Sequence, residues 1–117
     1  LLRFWRATIN TRNGLAFAIR SEQAVREELI ALALALPLAW LIGMTTMRRV
    51  ELVASVVLVL VVELLNTAIE KLADRLTTDP DPQIGRVKDM GSAAVGVALV
   101  MAGLFWLFAI AERIGVI

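Results

Sequence analysis

The sequence contains no cysteine, no histidine and no tyrosine. Without cysteine there is no disulfide framework, no thiol nucleophile and no thiolate metal site. Without histidine the usual general base is missing. Any reaction must therefore run on carboxylates, amines, hydroxyls and amides. A surplus of charge is lacking too: 12 basic residues against 11 acidic ones leave a net charge of +1. That argues against nucleic acid as a partner, because a phosphate backbone selects a basic face. The common phosphate-binding devices are absent: neither G-x-x-x-x-G-K-[ST], nor G-x-G-x-x-G, nor a soluble-kinase catalytic loop occurs.

Apolar residues are abundant. They make up 59% of the 117 residues, and the mean hydropathy is +0.77. One domain of this length cannot enclose so much apolar surface, so the surplus must face something other than water. The expected class is an all-α integral membrane protein, a single domain over 1–117. Segment 29–47 supplies 19 uncharged residues and segment 90–111 supplies 22, where a crossing helix needs about 20. Pro37 is tolerable inside a membrane helix. The valine-rich run 52–62 is uncharged over eleven residues, too few to cross, so its helix must continue through Glu63 and Asn66. A lone strand with open edges cannot span lipid, so a helix over about 50–70 is expected. Residues 71–89 form its end and a loop, with Thr77–Gly85 the loop-like part, marked by Asp79-Pro80-Asp81-Pro82. Small residues at every fourth position, Ala31-Ala35-Ala39-Gly43 and Ala94-Ala98-Ala102, are expected to let helices approach closely.

Segment 1–28 is of another kind. Arg3, Arg6, Asn10 and Asn13 project to one side of a helix, and Leu2, Trp5 and Ile9 to the other. That is an amphipathic surface helix, expected to break at Gly14 and resume near Leu15. The chain opens at Leu1 without methionine, which suggests a short preceding piece. The first segment lacks the apolar core and cleavage site of a signal peptide. Five arginines in 1–28 and four basic residues in 71–89 outnumber Arg48, Arg49 and Arg113 elsewhere. The bias puts the N-terminus and the 71–89 stretch in the cytoplasm and the C-terminus outside.

The chemistry is expected on the middle span. Glu63, Asn66, Glu70 and Asp74 fall within about 80° of one another on a helix, with Thr67 just beside them. A carboxylate inside the apolar zone costs about 2.5–3.5 kcal/mol at a helix centre, less near the interface, and is a functional hypothesis by default. Paired carboxylates suit Mg²⁺ when substrate phosphates complete its shell. The basic complement is Gly85-Arg86-Val87-Lys88-Asp89-Met90-Gly91-Ser92, where Lys88 can bind phosphate as a point charge. Glu22 is open to two readings: an ordinary i,i+4 pair with Arg26, or a further metal ligand. A proton-coupled exporter subunit would also place a glutamate in the membrane, nearer midplane, without needing Lys88 and Asp89.

Glu63-Leu-Leu-Asn66-Thr-Ala-Ile-Glu70, Asp74-Arg75 and Gly85-Arg-Val-Lys88-Asp89-Met90-Gly91-Ser92 together resemble the bacterial membrane-integrated diacylglycerol kinase family. The resemblance extends over nearly the whole chain, including Ser21-Glu22-Gln23-Ala24-Val25-Arg26-Glu27-Glu28. It implies a helical-bundle homotrimer in the bacterial inner (cytoplasmic) membrane, with three spans per subunit and sites shared between subunits. The implied reaction moves the γ-phosphate of MgATP to diacylglycerol, giving phosphatidic acid; other members phosphorylate undecaprenol. Carried over, Glu63 matches the general base, and Glu22 and Glu70 the carboxylates holding Mg²⁺. Arg3, Asn10, Glu22, Asn66, Glu70, Asp74, Lys88 and Asp89 fall at nucleotide positions, and Arg3, Glu63 and Ser92 at lipid positions. Asn10 stands where the best-known branch has an aromatic residue, and Arg12-Asn13 where it has Trp-Lys, which touches adenine and headgroup contacts rather than the phosphoryl chemistry.

Overall fold

The computed structural model describes residues 1–117 as four helices: α1 (Leu2–Ser21), α2 (Gln23–Ile42), α3 (Thr46–Leu76) and α4 (Pro82–Arg113). α3 is central and packs against both α4 and α2, which meet beside it at Ala39, Leu52 and Ala109, while α1 touches α2. Only 17 of the 117 residues are buried, so most of the apolar surface is not consumed by a core within one chain. The chain is all-helical, with an exposed apolar surface of the kind a helical membrane protein presents.

α3 and α4 are long and apolar enough to cross a membrane. At 31 and 32 residues, each runs well past the about 30 Å of a hydrocarbon core at about 1.5 Å per residue. The excess lets the end of α3 and the start of α4 project beyond it. α2 differs from the expected 29–47 span. Its first turns carry Arg26, Glu27 and Glu28, and the helix stops at Ile42, before a turn through Gly43. Arg49 makes that turn by donating from Nε to the carbonyls of Trp40 and Gly43, both at 3.1 Å. Its guanidinium lies 3.9 Å from the Trp40 ring centroid. A side chain on Gly43 would collide with the Arg49 stem. Thr45 then caps α3, its Oγ1 accepting from the Arg48 N–H at 3.0 Å.

The expected break at Gly14 does not occur: α1 runs unbroken to Ser21. One glycine costs a helix about 1 kcal/mol relative to alanine, too little to end it among good helix formers. The break comes at Glu22, whose φ of −126° and ψ of 118° are extended. Arg26 closes this elbow. Its Nη1 donates to the carbonyls of Ile19 at 2.8 Å and Arg20 at 3.3 Å, satisfying the end of α1. The Arg26 guanidinium is therefore not paired with the Glu22 carboxylate, and the i,i+4 ion pair fails, although the Arg26 N–H donates to the Glu22 carbonyl at 3.3 Å.

The small-residue lines are partly redrawn. Ala35, Ala39 and Gly43 are buried but Ala31 is exposed; Ala98 and Ala102 are buried but Ala94 is exposed. A step of four residues turns about 40° past a full circle, so a four-spaced line leaves the packed face within a few turns. On α4 the buried set is Gly91, Ala98, Ala102 and Ala109, which follows steps of seven and four and holds one face. The loop is also shorter than Thr77–Gly85. Asp81 Oδ1 accepts from the Gln83 and Ile84 N–H groups at 2.9 and 3.2 Å, and Pro82 opens α4.

At the end of the bundle away from the elbow, Arg48 bonds Glu51 and Glu112, both at 2.8 Å. Trp106 donates to Ser55 Oγ at 3.2 Å. These contacts tie the start of α3 to the end of α4.

Candidate active site

Glu63, Asn66 and Thr67 are the buried polar residues in the lower half of α3. They are buried because this face turns inward between the elbow and α4. Ala18 of α1, Val25 of α2 and Leu60 of α3 form the apolar floor beneath, with Leu29, Leu32 and Leu64 packed against it. Further along the same face Glu70 is half-buried and Asp74 exposed. The stripe thus passes from the interior to water over three helical turns.

Glu63 has no cation bonded to it: the ion pairs of the chain all lie elsewhere. The charges that reach it are other carboxylates, those of Glu28, Glu70 and Glu22. The elbow gathers these four, because it returns the start of α2 against α3. Glu28 itself has its carboxyl raised above the usual carboxylate range, first by burial and then by the adjacent Glu27.

Asn66 donates from Nδ2 to Glu70 Oε1 at 3.3 Å. Its other end is unusual: Oδ1 is buried with no hydrogen-bond partner. That oxygen lies against Gly91 of α4, where a Cβ would run into it. Gly91 is thus the slot that admits Asn66, and Asn66 in turn holds Glu70. Lys88 bonds Asp74, joining the start of α4 to the end of α3. Lys71 bonds Glu22 at 2.8 Å. Asn10 lines a groove of about 490 Å³ between α1 and α3, with Thr67 and Lys71 on the other wall.

Of the residues singled out from sequence, Glu22, Glu63, Asn66 and Glu70 share one neighbourhood, and Asp74 and Lys88 pair beside it. Arg3, Asp89 and Ser92 are exposed and do not join it within one chain. Lys71, Glu28 and Gly91 were not assigned roles from sequence. Lys71 and Glu28 are ordinary charges until the elbow angle is known. Gly91 stands in a quoted motif, but its use depends on the α3–α4 contact.

A family model described as prokaryotic diacylglycerol kinase matches residues 10–110. The chain belongs to the prokaryotic diacylglycerol kinase family. Among curated relatives, the diacylglycerol kinase of Escherichia coli (strain K12) is 40% identical over 102 residues, covering 87% of this chain and 84% of that one. The Haemophilus influenzae diacylglycerol kinase is 39% identical over 93 residues, covering 80% and 79%. The Pseudomonas aeruginosa diacylglycerol kinase is 37% identical over 106 residues, covering 91% and 86%.

No three acidic side chains converge on a common metal position. Mg²⁺ does not require that, since it is commonly held by one or two carboxylates plus substrate phosphates and water. The donors present suit it, since Glu22 and Glu70 both offer carboxylate oxygens and neither is fully buried.

Proposed function

We propose that this protein is a lipid kinase that transfers the γ-phosphate of ATP to the hydroxyl of diacylglycerol, giving phosphatidic acid. The observation that carries this reading is the family match over residues 10–110, with relatives of about 40% identity bearing the diacylglycerol kinase name.

The chemistry follows from where the polar stripe lies. Phosphoryl transfer asks mainly for positioning and charge neutralisation. Glu63, buried and without an ion-pair partner, would take the proton from a lipid hydroxyl. Glu22 and Glu70 are the residues that would hold Mg²⁺, which neutralises phosphate charge when bound. Asn66 steadies Glu70. Lys88, released from Asp74, would meet the transferred phosphate, and Asp89, Asn10 and Arg3 would complete the nucleotide site. Arg3 and Ser92 would face the lipid. Residues outside the cluster in one chain fit a homotrimer with sites shared between subunits, and α2 would supply a third, shorter span.

Purified protein given γ-labelled ATP and an equimolar mixture of diacylglycerol and undecaprenol should label diacylglycerol predominantly. Label on undecaprenol instead would move the protein to another acceptor within the same chemistry.

The orientation proposed is N-terminus and 77–81 loop in the cytoplasm of a bacterial inner membrane, C-terminus outside, from the bias in basic residues. Single cysteines at Thr11, Thr46, Thr78 and Val116 should divide under an impermeant thiol reagent in intact cells, with Thr46 and Val116 reactive. Reaction at Thr11 and Thr78 alone reverses the orientation.

A further inference from the structure

The ion pair between Lys71 and Glu22 has no part in the reaction just described, yet it sits inside the site. Glu22 is the extended residue of the elbow between α1 and α2, so no helix fixes the direction of its side chain. Lys71 does so, with Nζ at 2.8 Å from Glu22 Oε1. The lysine is itself steadied by Phe17 of α1, whose ring centroid lies 5.1 Å from Nζ. The charges of Glu22, Glu28 and Glu70 are felt at Glu63, although no three acidic side chains converge on one point. Mutual repulsion calls for a cation. Arg26 is committed to the carbonyls of α1 and Lys88 to Asp74. Lys71 is the one cation bonded to a member of the group.

We infer that Lys71 is a positioning residue that stands in for the divalent cation, holding Glu22 while no metal nucleotide is bound and yielding it when one arrives. This rests on the reading of Glu22 and Glu70 as the metal-holding carboxylates. Two features favour displacement over a permanent bond. The side chains are 41% and 29% exposed, so water reaches the pair and its net strength is small. A released Lys71 also keeps a place to go, since it lines the open groove between α1 and α3. A lysine competing for a carboxylate, and a positive charge beside a cation site, act in the same direction: both weaken metal binding.

The test is Mn²⁺ binding to the purified, nucleotide-free full chain in detergent, read from the electron paramagnetic resonance signal of free Mn²⁺. Lys71→Met keeps the stem and removes the charge. It should tighten Mn²⁺ binding about two- to fivefold, the scale of exposed ion pairs in double-mutant cycles. Lys71→Arg should stay near wild type. Glu22→Gln should weaken Mn²⁺ binding, and Lys71→Met should bring no gain in that background. Unchanged or weaker Mn²⁺ binding in Lys71→Met, with Glu22→Gln still weakening it, overturns the role of Lys71 alone. If Glu22→Gln leaves Mn²⁺ binding untouched, the metal assignment fails and the Lys71 inference falls with it. Absence of Mn²⁺ binding to nucleotide-free wild type also refutes competition. Should the methionine variant not assemble, Lys71→Gln carries the same comparison.

Discussion

Glu63→Gln should lower lipid phosphorylation by about 10² to 10⁴, the range a positioned general base contributes. The substitution keeps the shape of the side chain and removes the proton acceptor. No histidine or cysteine exists to replace it, and no cation is bonded to it. Nucleotide affinity and oligomer size should stay near wild type. A neutral amide is easier to place in the membrane than a carboxylate, so the thermal melting point should hold or rise. Retention of more than about a tenth of wild-type turnover is less than a general base should cost and would remove Glu63 from that role. Loss of turnover accompanied by loss of assembly would make it a structural residue instead.

The second large effect is expected at the carboxylates assigned to the metal. Glu70→Gln should raise the Mg²⁺ concentration needed for half-maximal turnover and lower the maximum by at least about tenfold, as expected when a group positioning the reactive phosphates is lost. Glu22→Gln should move both quantities the same way. Glu70 has a second tie, the bond from Asn66, so Asn66→Ala should reproduce part of the Glu70 effect. Gly91→Ala should do likewise, because its new methyl displaces the Asn66 side chain. Unaltered Mg²⁺ dependence and turnover in both glutamine variants would take Glu22 and Glu70 out of the site.

How much of this was legible in the sequence follows from the physics of each feature. The stripe from Glu63 to Asp74 could be read because helical periodicity and the cost of a membrane carboxylate are properties of one segment. The two long apolar helices were legible for the same reason. The Gly14 break was misplaced because a helix propensity is weak beside cooperative extension. The true elbow at Glu22 depends on Arg26 reaching back to two carbonyls of α1, a tertiary fact. The end of α2 at Ile42 rests on Arg49 in the same way. Whatever required the angle between two helices lay outside a one-dimensional reading: the Glu22–Lys71 bond, the crowding of Glu28, and the seat that Gly91 makes for Asn66.

Lipid phosphorylation and proton coupling separate a kinase from an exporter subunit that uses the same buried glutamate. The direct measurement uses wild-type protein reconstituted in vesicles containing diacylglycerol, with γ-labelled ATP and Mg²⁺ outside and a pH-sensitive dye inside. Label is expected to appear in phosphatidic acid, in amounts matching the ADP released, with no change in internal pH beyond that of empty vesicles. An unlabelled lipid fraction together with a proton flux that Glu63→Gln abolishes would contradict the kinase reading.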